Sequence, residues 1–298
     1  MIERVLIGRN PVTLWGPDFS AEYSYGTEGD RGTFSSCEYE NRRLGGYWSA
    51  AATIHDDPLY LAELFHTSLG RDVKMMGTRG GVASNGFINS MKLHLGGGAT
   101  KYVSLDGMGN RVWVRYLDAS SSDAFTRTLV ADNALSIARF GIKDYPLQGG
   151  RASSPAVASA VATRAVRRIA FPKPAIEGLG AGAARGGDKV RLDLTIDGYV
   201  KTLRWRVYNQ TASSGAQSAD LVMATVLASV GQFVATPYYL QPNGMASRID
   251  FDADQWAWDI INGIVSMGDN LFNPWTFYLD ENRHAHYEPW SPAEDLDL

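Results

Sequence analysis

A single cysteine, Cys37, stands among the 298 residues. No intrachain disulfide can form, and a thiolate cage for a metal within one chain is excluded. Long apolar runs are missing too: no stretch of about 18 apolar residues occurs, so no transmembrane helix is expected. The opening segment, 1–16, is interrupted by Glu3, Arg4, Arg9 and Asn10 and lacks the apolar core of a signal peptide. The expectation is a soluble chain made in the cytoplasm. A basic excess is also absent. The formal net charge is −4, and the densest cationic cluster, Arg164, Arg167 and Arg168, reads as the wet side of a helix. A phosphate-gripping nucleic-acid binder is therefore not indicated. A weakly acidic chain remains compatible with lining a conduit through which DNA slips without sticking.

What is present leans towards strands. There are 31 glycines and eight tryptophans, and 45% of the residues are hydrophobic. With many Val and Thr, that composition favours sheet with numerous turns. Apolar runs at 5–7, 12–15, 19–25, 46–54, 73–76, 82–95, 101–105 and 111–117 predict strands. In the last run Val112, Val114 and Tyr116 alternate with Trp113 and Arg115, the two-residue period of a sheet. One helix interrupts them: Asp57 caps it and Pro58 suits its first turn. Leu61, Leu64, Phe65 and Ser68 share a face, and Gly70 ends the helix. Residues 1–118 thus read as one β-rich domain with a single helix.

The segment 119–187 changes character. A polar turn at 119–123 precedes 126–130 and 132–141. A helix is predicted over 155–169 with a stripe of Val157, Val161, Ala165 and Ile169, stopped by Phe171-Pro172-Lys173-Pro174. The glycine- and alanine-rich 178–187 reads as a flexible connection. The third segment, 188–298, reads as a mixed α+β domain. Strands at 190–196 and 200–208 are expected to join as a hairpin at Asp197-Gly198. A helix follows over 219–233. Another starts at Asp252 through a capping-box-like Asp252…Gln255 pair, with Trp256, Ile260 and Ile264 on one face. A closing hairpin pairs 275–279 with 284–288 around Asp280-Glu281-Asn282-Arg283, and the acidic tail 294–298 is expected to be loose.

No catalytic motif rises above its bland reading. His284-x-His286-x-Glu288 places three metal-ligand types on one face of a strand, yet alternating polar residues are what a half-exposed strand shows anyway. Asp250-x-Asp252-x-Asp254 lacks the glycine and the distal Glu of a calcium loop. Gly178-x-Gly180-x-Gly182 precedes a strand rather than a helix, so it does not cradle phosphate. Cys37 has no motif context for a nucleophile, and no Gly-x-Ser-x-Gly elbow exists. Trp256, Trp258, Trp275 and Trp290 would suit sugar stacking, although such residues more often fill cores and interfaces. No enzyme activity, cofactor or metal is expected.

The stretch Asp132-Asn133-Ala134-Leu135-Ser136-Ile137-Ala138-Arg139-Phe140-Gly141-Ile142-Lys143-Asp144-Tyr145, followed by the alanine-rich helix and Pro172, resembles a signature of tail-tip and baseplate-hub proteins of long-tailed bacteriophages. Phe140 stands where Tyr is usual, and Asp144 where Glu is usual. The 46–53 strand with the helix after Asp57, the run Asp197 to Trp205 and the closing hairpin resemble further parts of that family in the same order. The resemblance implies a β-rich tube-type domain, barrel- or sandwich-like, followed by mixed α/β hub domains. It implies a homo-oligomeric ring in the virion, of three copies, around a channel that DNA crosses only in transit. Its neighbours would be the tail tube or distal tail protein and the central fibre or receptor-binding proteins. Trp48, Tyr60, Trp113 and Trp258, read as exposed aromatics, are the expected interface residues. A distal tail ring protein, or a carbohydrate-binding or carbohydrate-active β-rich protein, are the alternatives.

Overall fold

The computed structural model describes residues 1–12, 19–27, 30–96, 98–118, 125–152, 154–178, 190–208, 215–247 and 255–291. From the N-terminus come β1 (Ile2–Gly8), β2 (Phe19–Tyr25), β3 (Thr33–Arg42), β4 (Gly45–His55), α1 (Pro58–Thr67), β5 (Asp72–Gly77), β6 (Val82–His94) and β7 (Thr100–Ser104). Next are β8 (Arg111–Asp118), β9 (Phe125–Arg127), β10 (Ala131–Asp132), α2 (Ala134–Phe140), β11 (Asp144–Ala152), α3 (Pro155–Ile169) and β12 (Ala175–Glu177). The last third holds β13 (Arg191–Asp197), a 3-10 helix (Tyr199–Arg204), β14 (Val207–Tyr208), β15 (Gln217–Ser218) and α4 (Ala219–Val230). It ends with β16 (Ala235–Leu240), β17 (Ala246–Ser247), β18 (Gln255–Trp256), α5 (Ala257–Met267), β19 (Trp275–Leu279) and β20 (His284–Pro289).

Seven strands close into a barrel in the order β6-β5-β1-β2-β3-β4-β13 and back to β6. The closure is made by β13, antiparallel to β4 on one edge (Leu192 opposite Ile54) and to β6 on the other (Leu192 opposite Leu93). Leu192, Leu194 and Ile196 alternate inward along it, and Val5, Ile7, Ile54 and Ile88 join them in the core. Helix α1 packs on β6 and β13; Asp57 caps it by accepting from the Leu59 N–H at 2.9 Å. The class is therefore α+β and β-rich, with five α-helices and one 3-10 helix among the described residues. None of these helices is long and apolar enough to cross a membrane.

The expected domain boundary at residue 118 does not coincide with a structural one. The barrel takes its seventh strand from residues 191–197, and one continuous core runs from Ile2 to Tyr287. β8 instead leaves for a second sheet, β10-β8-β11 with β9 beside β10 on the same edge of β8. A barrel missing a strand would expose two rows of unpaired backbone groups, so the distant segment belongs to it.

The Asp197-Gly198 hairpin is not formed either. Both edges of β13 are already paired, so no edge is left for a returning strand. Residues Tyr199–Arg204 turn instead into a 3-10 helix with Tyr199, Val200, Thr202 and Leu203 buried. In α3, which spans the expected residues, the buried stripe is Ala158, Ala162 and Val166, while Val157 and Val161 face solvent. Small side chains let the helix sit close on Val112, Val114 and Tyr116 of β8, and close approach outweighs the larger valines. α5 begins at Ala257 with Trp256 at its N-cap, five residues after the expected start. Asp250, Asp252 and Asp254 lie outside the described residues, as do residues 179–187 of the expected linker, the 119–123 turn and the acidic tail.

The arm built from β8–β11 and α2–α3 is held to the segments on either side of it, after β7 and after the 3-10 helix, by a dense polar junction. Asn110, fully buried, donates to the Gly141 carbonyl at 2.7 Å and to Ser136 Oγ at 3.2 Å, and accepts from the Lys143 N–H at 2.7 Å. Ser136 donates in turn to the Ala170 carbonyl. The buried Asp144 carboxylate accepts from Arg206 Nε at 3.1 Å and from the Val207 N–H at 2.8 Å. Its neighbour Lys143 sends its Nζ to the Leu105 carbonyl at 2.7 Å and lies 4.9 Å from the Trp205 ring. Burial pushes the Lys143 ammonium down to about 8, against the opposing pull of Asp106 and Asp197.

A lowered lysine means that the unfolded chain holds the proton more tightly. The folded chain therefore gains stability as pH climbs from about 8 towards the ordinary lysine value of 10.5. Against a Lys143→Met variant, the parent is expected to gain about 2–3 kcal/mol between pH 7 and pH 10. Urea unfolding of both proteins at the two pH values measures it, and a pH-independent difference would refute the buried charge.

Candidate functional site

The hairpin β19–β20 joins the barrel where β19 runs parallel to the start of β4, Tyr278 opposite Gly45 and Leu279 opposite Gly46. Only two residues pair. Beyond them the β3–β4 turn and β19 diverge and leave a groove of about 360 Å³, lined by Arg42, Arg43, Tyr47, Thr276, Tyr278 and Trp290 among others. Its rim carries two cations, Arg42 and Arg43, and two acids, Asp280 and Glu281. Arg42 Nε is held by Glu40 at 2.7 Å, whereas the Arg43 guanidinium lies 3.9 Å over the Trp290 ring. Thr276 donates to the Arg43 carbonyl and so anchors that wall.

Asp280 also organises the hairpin. Its Oδ1 accepts from the Asn282 and His284 N–H groups, both at 2.8 Å. Its Oδ2 faces His284 Nδ1 at 3.2 Å and His286 Nε2 at 3.3 Å. Burial pushes the Asp280 carboxyl up, but the bonds from His284, His286 and Asn282 outweigh it and hold it below its ordinary value. Its charge therefore favours the folded hairpin at neutral pH, and that contribution fades as pH falls through the lowered carboxyl value. The His286 ring is sandwiched between Tyr278 at 4.8 Å and Tyr239 at 5.0 Å.

The structure thus brings His284 and His286 together, but on a carboxylate of their own turn. Glu288 is directed elsewhere: it accepts from the Tyr278 hydroxyl at 2.8 Å. Among the described residues no group of three or more His, Cys, Asp or Glu side chains is placed to hold a metal ion. Asp280 is the member that sequence reading passed over as a turn residue. The His284 spacing of four across a tight turn was the available signal. Cys37 is half-buried, its thiol 3.2 Å from the Met75 sulfur, and burial pushes it up to about 11; a protonated thiol is a poor nucleophile. A serine–histidine contact does occur, Ser35 Oγ to His55 Nε2 at 2.6 Å, but His55 is buried at the end of β4. The groove offers binding chemistry, an aromatic wall between opposite charges, rather than an assembled nucleophile and base.

Three of the four aromatics expected at an exposed interface are buried within the chain. Trp48 is covered by Arg42, Lys201 and Arg204, at 4.2, 5.2 and 5.1 Å, and by Trp258 at 5.6 Å. Trp113 is 1% exposed, with the Arg127 guanidinium 4.1 Å over its ring. Cations over aromatic faces satisfy both groups, which is why alternation along β8 misled: both faces of that strand are covered. Only Tyr60, 36% exposed on α1, stands at the surface. Of the C-terminal tryptophans, Trp258 and Trp275 are core, and Trp290 reaches the groove. Set against protein-family models, curated proteins and solved structures, the chain matches none of them.

Proposed function

We propose that the chain is a structural subunit of the tail tip of a long-tailed bacteriophage. Identical copies form a ring, expected to be a trimer, that closes or extends the tail tube and connects it to the central fibre. On this reading the barrel is the tube-type domain and the arm with the C-terminal hairpin is the hub part. The partners are further copies, the tail tube or distal tail protein and the fibre proteins; DNA passes through the channel. The chain is made in the host cytoplasm and ends in the virion.

The observation that supports this best is the fate of the 132–174 stretch. It forms one arm, strand to helix to strand to helix, tied to the β7–β8 connection through Asn110 and to Arg206 and Val207 through Asp144. That arm carries unpartnered apolar side chains outward, among them Leu129, Leu135, Val157 and Val161. Surface leucines and valines on a rigid, well-anchored arm suit a contact with another subunit. Light scattering behind size-exclusion chromatography, with negative-stain imaging, should find rings with a central hole. A monomer at every concentration would overturn the proposal.

A second reading, a sugar-binding β-rich protein, draws on Trp290 beside Tyr278 and Asp280 in the groove. Arg43 already covers one face of that ring. A monomer whose Trp290 fluorescence shifts with oligosaccharide would favour this alternative.

A further inference from the structure

Between α5 and β19 the chain makes a tight turn whose tip is apolar. Leu271 is 74% exposed and Phe272 is 89% exposed. Phe272 also has a φ of 61°, a left-handed conformation that a bulky residue rarely adopts. The turn is clamped from below. Asp269 Oδ1 accepts from the Leu271 N–H at 2.8 Å and the Asn273 N–H at 2.9 Å, and Oδ2 accepts from Asn273 Nδ2 at 2.9 Å. The Phe272 N–H returns to the Asp269 carbonyl at 3.0 Å. A stiff, strained loop that holds two large apolar side chains in water calls for a covering surface.

The same chain carries a surface of matching character. The groove between the β3–β4 turn and β19 is lined by Tyr47, Tyr278, Leu279 and Trp290 together with the cations Arg42 and Arg43 and the acids Asp280 and Glu281. Arg43 has no carboxylate partner among the described residues, and Asp269 has no cationic one. The exposed Asn270 beside Asp269 supplies amide donors for the acids of the groove. We infer that Leu271 and Phe272 of one copy insert into the groove of a second copy, with Asp269 meeting Arg43. The inference rests on the ring reading above and adds a second contact between copies to the one proposed for the arm. Reciprocal insertion would close a two-fold pair, whereas on the ring reading each copy gives its knob to one neighbour and receives the knob of the other until the array closes.

Phe272→Gly is the decisive variant, because glycine adopts the left-handed conformation readily. It removes the knob and keeps the turn. We expect a full-length Phe272→Gly protein with an unchanged or raised thermal midpoint and assembly weakened at least tenfold by sedimentation velocity. Leu221→Ser, an exposed change on α4 away from the knob, the groove and the arm, serves as the comparison and should assemble as the parent does. In a Cys37→Ser background, Phe272→Cys with Asn41→Cys, Asn41 being another residue that lines the groove, should give covalently linked copies on oxidation. Assembly that is indifferent to Phe272→Gly, with no linked copies, would overturn the inference and leave the ring proposal standing. A parent that is monomeric throughout would overturn both and assign the knob to a partner of different sequence. Linked dimers that never close into rings would support the contact and sink the ring.

Discussion

Gly198→Ala is expected to abolish cooperative unfolding, or to lower stability by more than about 4 kcal/mol. The backbone angle is not the reason, since Gly198 has a φ of −65° that any residue can adopt. The reason is space. A Cβ there would sit 1.7 Å from the Tyr47 carbonyl oxygen and 2.6 Å from its carbon. Both are backbone atoms of β4, so no rotamer change relieves the overlap, and β13 would have to separate from β4. That seam closes the barrel, and the Gly198 N–H bond to the Trp48 carbonyl at 3.0 Å lies within it. Gly86→Ala should behave similarly, because its Cβ would meet the Asp197 carbonyl oxygen at 2.2 Å across the other seam. Gly150→Ala is the control: nothing lies within 4 Å of its Cβ, so a change within about 0.5 kcal/mol is expected. Thermal and urea unfolding of the three variants measure the contrast. Comparable midpoints for Gly198→Ala and Gly150→Ala would show that the seam is far looser than described.

Asp144→Ala should cost about 3–5 kcal/mol. The carboxylate and the Arg206 guanidinium are both largely buried, their side chains 3% and 11% exposed. Removing one partner strands the other charge and also leaves the Val207 N–H without its acceptor. Burial pushes the Asp144 carboxyl above its ordinary value even though Arg206 and Val207 pull it down. Its charged form therefore costs more to bury than the pairing returns. A paired replacement, Asp144→Leu with Arg206→Met, should accordingly recover most of the loss, as expected when a buried ion pair gives way to apolar packing. A double-mutant cycle in urea reads both. Equal stabilities for parent and Asp144→Ala would mean that the arm does not rely on this junction. Because the arm holds the outward-facing Val157 and Val161, assembly should weaken along with stability in the single variant.

Local features were legible in the sequence. The Asp57 cap with Pro58, the α3 span from Pro155 to its Pro-rich stop, and the hairpin around Asp280 all depend on neighbours within a few residues, and capping, proline geometry and turn chemistry act at that range. The groove was not legible, because Arg43 and Thr276, or Gly46 and Leu279, are more than 200 positions apart and meet only when β19 adds to β4. The Asp197-Gly198 signal failed for a related reason: a hairpin needs a free strand edge, and only the closed barrel reveals that β13 has none. Burial of Trp48 and Trp113 was hidden similarly, since their covers, Arg204 and Arg127, come from other strands or turns. By itself, the sequence determined the β-rich class, the Asp57 cap of α1, the Pro-rich stop after α3, and the exclusion of a disulfide scaffold. The tertiary structure alone decided which strand closes the barrel, which aromatics are core, and where a groove and an apolar knob stand in solvent. Those depend on pairing across long loops, and the closure entropy of such loops is set by the whole chain rather than by any local pattern.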